Sequence, residues 1–521
     1  MRYILFVLCC LCVVYACYED KGNYDYIGIS EVKADSIKGS YRKIAFKDTL
    51  FIQPEVSSSS PDDRFEYLWT IYSNGNKNEK GEVIVDTIAY SRNLEYPVNL
   101  RPGNYRVVFK LTNVTDKREI FQSTLLLVET EFSRGFYVLK EKDGKGELDL
   151  HLPDGEVMTR LLEKSNVVMA GKPKSLGICP SYSFINKEKG KFDYATTLNL
   201  CSEQNFRMLS TSDLGEIYSF DEMFYGEIPQ DMPLCVSPYE NGAYYFSDKG
   251  IYTTFYIALP DHQYMNLSSG KFGLKTKVSG SSEIDYLPAP HIAVINKLHY
   301  FFDQMHGRFL CLDWNGNINC FDDGEDPVYI VNGIPHKLKY LGCSKVQFKN
   351  RGFAVFENAD HPELYYLYFL KFASMSYSNP ILNVTALSKS SPLVQASLYA
   401  CNELDAFVVY CVKDNKLYAH YVEDNRVELC TTEGLDKNEE IVYLNNIYWT
   451  LPSDGEYTFN YLVIGTCKEE RYKLYMYEML GAKPYGKPVK ILEGEGKIVG
   501  LQYVSPKMNQ AYHDYVSLSF N

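Results

Sequence analysis

The chain has 521 residues, 45% hydrophobic and 23% charged, enough to bury two or more cores. Its formal net charge is −13, and removal of Arg2 with a cleaved leader makes it −14; this balance opposes nucleic acid and anionic lipid headgroups as partners, because both demand basic patches. Tyr occurs 45 times and Phe 28 times against three Trp, an aromatic enrichment that suits pleated, half-buried strands.

The first sixteen residues carry one early charge, Arg2, an apolar run from Ile4 to Val14, and then Tyr15 and Ala16. This is the grammar of a signal peptide over 1–16, and the run is shorter than the roughly 20 apolar residues a bilayer span requires. Val14-Tyr15-Ala16-Cys17 resembles the bacterial lipobox, with Tyr15 bulkier than is usual there. The resemblance implies that Cys17 is acylated and that the lipid is the membrane anchor. The acidic Tyr18-Glu19-Asp20-Lys21 that follows is similar to the surface-export signal of Bacteroidota lipoproteins, which implies an outer-membrane, cell-surface location.

Residues 17–28 read as a lipidated tether and 29–130 as an immunoglobulin-type β-sandwich. Phe65 to Ile71 alternates with period two, the mark of a half-buried strand, and places Trp69 in the core between two sheets. Pro102-Gly103 supplies a turn, after which Tyr105, Val107, Phe109 and Leu111 share one face. Tyr67-Leu68-Trp69 followed by Gly103-Asn104-Tyr105-Arg106-Val107-Val108-Phe109 resembles the polycystic-kidney-disease (PKD) sandwich domains, which usually act as spacers.

From 131 to 521 one layout recurs seven times: an apolar strand, a polar turn, and a second strand with a central aromatic or leucine. The stretches begin at Phe136, Met208, Tyr244, Tyr300, Val355, Val408 and Val463. The anchors Leu310, Tyr365, Tyr418 and Tyr475 recur every 53 to 57 residues, whereas the earlier intervals are 70, 34 and 58. A period near fifty with several strands per unit predicts a β-propeller, here of seven blades with six or eight as alternatives, in which neighbouring sheets shield one another; the competing reading is a large multi-sheet sandwich. The fold class is thus all-β, a sandwich followed by a propeller. Only Gly155 to Ser165, with Val157, Leu161 and Leu162, reads as a short amphipathic helix.

Four cysteines (Cys9, Cys10, Cys12 and Cys17) belong to the leader and lipid site. The other ten, from Cys179 to Cys467, have no CxxC spacing, and most read as buried apolar residues. One pair stands apart: Asn315-Gly316 predicts a two-residue hairpin turn that would set Cys311 opposite Cys320, within disulfide reach or as two unoxidised neighbours.

The lipobox, the Cys17-to-Tyr26 start, the degenerate sandwich and the long β-rich remainder together resemble the PKD-like lipoproteins of Bacteroidota. That resemblance implies a surface accessory protein beside a SusC/SusD-type nutrient importer, without naming the nutrient. The residues themselves carry no HExxH, GxSxG, phosphate-loop or Ca²⁺-loop pattern, and they imply no metal and no cofactor. His291, His299 and His306 cluster in sequence but match no ligand spacing. Asp322, Asp323, Glu325 and Asp326 read as a solvated loop. Tyr448, Trp449 and Trp314 lie beside turns, where an exposed ring could stack on a sugar or peptide; the alternative is packed core. Three functions follow: a non-catalytic capture module for glycan or peptide, a propeller hydrolase or lyase acting on glycans, or an adhesive scaffold.

Overall fold

The computed structural model describes residues 31–520 except 79, 240–241, 255, 259–263, 267–268, 281–284, 314, 323–335, 345–350, 372–376, 451–457 and 509–517. The leader, Cys17 and the tether lie outside the described residues. The chain divides into two compact units between Glu129 and Thr130. It is almost wholly β-structure, and no helix among the described residues is long and apolar enough to cross a membrane.

The first unit is a two-layer sandwich. Its larger sheet runs in the order Ser40–Ile44, Glu119–Glu129, Gly103–Asn113, Phe65–Lys77, Val83–Ala89, with the first pair parallel. Facing it are two short ladders, Thr49–Ile52 with Leu94–Pro97 and Val32–Asp35 with Glu55–Ser58. Period-two alternation sends Trp69, Ile71, Val107, Phe109 and Leu111 inward, onto Leu50, Ile52 and Leu94. Trp69 is fully buried, its ring 4.6 Å from the cross-strand Phe109 ring, and its indole N–H donates to the carbonyl of Ser91 at 3.0 Å. Burying the rings without that acceptor would leave a polar N–H stranded in the core. Tyr105 Oη donates to the carbonyl of Arg101 at 2.9 Å, so the hydroxyl ties the start of its strand to the preceding turn.

The second unit carries seven antiparallel sheets among its described residues, with one further two-stranded ladder, Tyr256–Ala258 with Tyr264–Asn266. Sheet one is ordered Lys497–Val504, Gly135–Lys142, Lys145–His151, Val157–Met158, so the strand Lys497–Val504 joins the first hairpin of the unit. Sheet two holds Leu518–Phe520, Pro173–Asn186, Lys191–Ser202 and Phe206–Ser210. Sheets three to six start from Pro233–Tyr239, Pro288–Ile295, His336–Cys343 and Leu398–Asn402, and sheet seven from Glu440–Trp449.

Each sheet is buried on both faces. Tyr244 and Phe246 of sheet three pack on Phe301 and Leu310 of sheet four, while the intervening Tyr245 packs on Tyr182 and Phe206 of sheet two. In the same way Phe302 meets Phe356, Val355 meets Val409, and Tyr410 meets Leu462. Val463 of sheet seven then shares a core with Leu139 of sheet one and Leu176 of sheet two. Every sheet therefore packs on its successor, and the seventh packs on the first. Unbroken runs such as Tyr244-Tyr245-Phe246 and Tyr300-Phe301-Phe302 follow from this, because successive side chains point to opposite, equally dry neighbours. Each such ring contributes about 1.5–3 kcal/mol on burial.

Six of the seven repeated stretches form the second and third strands of their sheets, and three of those hairpins close on two-residue turns with both φ angles positive: Asp143-Gly144, Asp414-Asn415 and Glu469-Glu470. Asn296-Lys297 joins the first two strands of sheet four in the same way. The stretch at Met208 is displaced: it lies at the edge of sheet two, on Phe206–Ser210 and its bridge from Leu209 to Glu216. That displacement accounts for the uneven intervals of 70 and 34. The helix expected over Gly155 to Ser165 contracts to Leu161–Lys164. Val157–Met158 pairs as a strand, and Arg160 at φ 55 is left-handed, so the helix begins only after it.

Candidate functional site

Ionisable side chains inside doubly buried sheets are stabilised by pairing, and the carboxylates of Asp149, Glu439 and Asp303 are paired. Lys140 Nζ lies 2.5 Å from Asp149 Oδ2, both fully buried in sheet one. Tyr472 of sheet seven donates to the same oxygen at 3.1 Å and stands 2.9 Å from His151 Nε2. Burial holds the His151 pKa down at about 4, so its ring is neutral near pH 7. In sheet seven, Glu439 accepts from Lys473 at 2.6 Å and from Tyr475 at 3.2 Å. In sheet four, Asp303 holds His306 at 2.7 Å and Arg308 at 3.2 Å. All of these groups join one strand to the next, or one sheet to another.

The residues singled out in the sequence are dispersed. Trp449 is only 1% exposed and packs on Tyr503, with ring centroids 5.8 Å apart, in the core shared by sheets seven and one. It is a packing residue and not a ligand shelf, because its strand runs on through Trp449 before the turn begins. Tyr448, on the opposite face of that strand, is half-buried. Trp314, Asp323, Glu325 and Asp326 lie outside the described residues.

Cys311 does not face Cys320. Its partner across the ladder is Asn319, and Leu310 pairs with Cys320, so the fully buried Cys311 and the exposed Cys320 point to opposite faces as free thiols. The one-residue change comes from Asp313. Its Oδ1 accepts the N–H groups of Asn315 and Asn317, both at 2.9 Å, and lengthens the loop to three residues with Gly316 at φ 78.

The three histidines are also separate. His299 is buried with Nε2 2.7 Å from Ser237 Oγ, His306 faces Asp303, and burial holds His291 at about 4. No group of three or more metal-ligating side chains forms among the described residues.

Polar side chains gather where strands of sheets six and seven end. Asn402 Nδ2 lies 3.2 Å from Asn446 Oδ1 and 3.3 Å from Asn460 Oδ1, and Asn446 donates to Asn460 Oδ1 at 3.1 Å. The N–H of Glu403 reaches Ser344 of sheet five at 3.2 Å. These amides hold one another and so fix the strand ends.

Open aromatic surface lies elsewhere, on a ribbon that the sequence reading did not single out. Among the described residues, strands Pro173–Asn186 and Lys191–Ser202 extend past their sheet neighbours, and Tyr182–Asn186 pairs with Lys191–Ala195 alone. One face packs Tyr182 and Phe184 on Phe224 and Phe272. The other presents Ile185, Phe192 and Tyr194 at 40%, 58% and 60% exposure, with Ile185 directly across from Phe192. The ribbon is braced: Tyr182 Oη donates to the carbonyl of Gly270 at 2.6 Å, and Tyr218 Oη accepts the N–H of Ile185 at 3.2 Å. Asn186 Oδ1 caps the tip by accepting from Glu188 and Lys189, both at 3.1 Å. Two exposed rings two positions apart lie about 7 Å from each other along a strand, a spacing that lets both lie against one extended ligand. The sequence signal was present in Phe192 and Tyr194 alternating with polar residues just after a Lys/Gly-rich turn.

Residues 17–173 match the model of the PKD-like family, a span that takes in the first unit and runs into sheet one of the second. No curated protein matches the chain. Among solved structures, a quinonprotein alcohol dehydrogenase-like protein from Bacteroides thetaiotaomicron is 12% identical, with 90% of this chain and 99% of that chain covered and a TM-score of 0.37. A streptogramin B lyase is 8% identical over 64% of this chain and 90% of its own, at 0.31. PorZ of Porphyromonas gingivalis, a bacterial surface component of the type-IX secretion system, is 11% identical over 84% of this chain and 54% of its own, at 0.32. At these values none of the three bears on what this chain binds or does. The chain is similar to the PKD-like family over residues 17–173.

Proposed function

We propose that this protein is a lipid-anchored, non-catalytic capture module at the outer-membrane surface, working beside a SusC/SusD-type importer. Cys17 carries the lipid, the PKD-like sandwich is the spacer, and the second unit is a seven-bladed β-propeller. The cyclic order of the cores, each sheet on its successor and the seventh on the first, supports the propeller. The observation that carries the capture reading is the braced ribbon with Phe192 and Tyr194 open to solvent. A rigid aromatic face binds an oligosaccharide or a peptide through its apolar ring surfaces with little loss of conformational freedom. The carboxylates of Asp149, Glu439 and Asp303, by contrast, are occupied in joining strands, which favours binding over glycan hydrolysis or lysis.

The test is a screen of residues 18–521 against oligosaccharide and peptide panels, reading both binding and turnover. Binding without turnover is expected, weakened tenfold or more by Phe192→Ser with Tyr194→Ser. Turnover of any member of the panel, or binding that ignores the double substitution, defeats the reading.

A further inference from the structure

The strand Val83–Ala89 ends the larger sheet of the sandwich. It pairs on one side with Phe65–Lys77, and among the described residues nothing pairs with its other side. Native edge strands are normally short, bulged away, or guarded by proline or lysine. This one is seven residues long, contains neither proline nor lysine, and exposes Val83, Ile84 and Val85 at 37%, 38% and 54%, while its pairing with Phe65–Lys77 shifts register on either side of Val85–Thr87. A bare row of N–H and C=O groups flanked by β-branched side chains is a template for one more strand.

The charges select the occupant. Asp86 shares the face of Ile84, by the period-two geometry of a strand, and Glu82 stands in the turn just before the strand. Asp86 is exposed, lies across from the core residue Ile71, and is near enough to Tyr96 to help raise that hydroxyl's pKa behind the larger effect of burial. Glu82 is held by Asn78 Nδ2 at 2.8 Å. Antiparallel self-pairing would bring like faces together and collect four carboxylates along one short ladder, and like charges across a ladder are destabilising. A second copy is therefore a poor occupant. A strand bearing lysine or arginine at alternate positions would set cations against Glu82 and Asp86 and small apolar residues against Val83 and Val85.

We propose that this edge is a docking site for an extended, alternately basic segment of a partner protein, added as a sixth strand to the sheet.

The mature protein can be titrated with two labelled octapeptides, one alternating lysine with valine and its glutamate counterpart. The lysine peptide is expected to bind at least tenfold tighter, and the preference is expected to fall as salt is raised. In the Glu82→Lys/Asp86→Lys variant, whose changes are exposed and leave the core intact, the preference should invert. Val85→Pro should weaken both peptides tenfold or more by disrupting the template. Three results would overturn the proposal: no binding of either peptide, a lysine preference that survives the double charge reversal, or a dimer in sedimentation that Val85→Pro dissolves.

Discussion

The two units bury aromatic residues by opposite rules. In the sandwich, a sheet has one dry face, so Tyr105, Val107, Phe109 and Leu111 alternate with more exposed neighbours, and the pattern itself fixes which side faces the core. In the second unit a sheet has two dry faces, so Tyr300, Phe301 and Phe302 follow one another without interruption and periodicity vanishes. What survives there is repetition at long range. A half-buried strand announces itself within seven residues; a fully buried one is recognised by its distance from the next copy.

The sharpest way to break this contrast is to open one core at a time. Trp69→Ala should cost up to about 5 kcal/mol, as large-to-small core changes of aromatics do. It should lower or abolish the melting transition of the sandwich in calorimetry while that of the second unit stays in place. Phe301→Ala should do the converse, and a single shared transition that moves with both substitutions would remove the distinction.

The next effect concerns what holds doubly buried sheets in order. Lys140→Met leaves the Asp149 carboxylate buried without its cation, and loss of one partner from such a pair costs about 3 kcal/mol. Lys140→Met with Asp149→Leu should recover most of that stability in denaturant titrations. If the double variant is as weak as the single one, the pair contributes more than mutual neutralisation. The smallest effect sharpens the comparison from the turns. Glu469 and Glu470 hold φ angles of 51° and 55°, a left-handed region that favours glycine. Glu470→Gly should therefore stabilise the second unit by about 1 kcal/mol, read as a rise in its melting temperature.

Legibility followed the same division. Trp69 and Tyr105 could be placed from local pattern, because each belongs to a strand with one wet side. The seven hairpins could be found but not phased, since sheet two carries its recognisable stretch at its edge and so distorts the interval on both sides. Cys311 and Cys320 were misregistered because the Asn315-Gly316 pair hides the stronger competitor, the Asp313 carboxylate that claims two N–H groups of the loop. Trp449 could be read as a turn-side ring or as packed core, because the end of a ten-residue strand carries no mark in its sequence. The ribbon bearing Phe192 and Tyr194 was passed over because its length shows only in the strand pairing, where the edge strand Phe206–Ser210 stops short of it.

The pairing of Lys497–Val504 with Gly135–Lys142 has a temporal consequence. A ribosome makes the opening hairpin of this unit long before it makes the strand that completes it, and all the intervening sheets emerge in between. Until then the nascent polypeptide keeps an unsatisfied flank, so messages cut short anywhere before codon 497 yield products that proteases can recognise as unfinished.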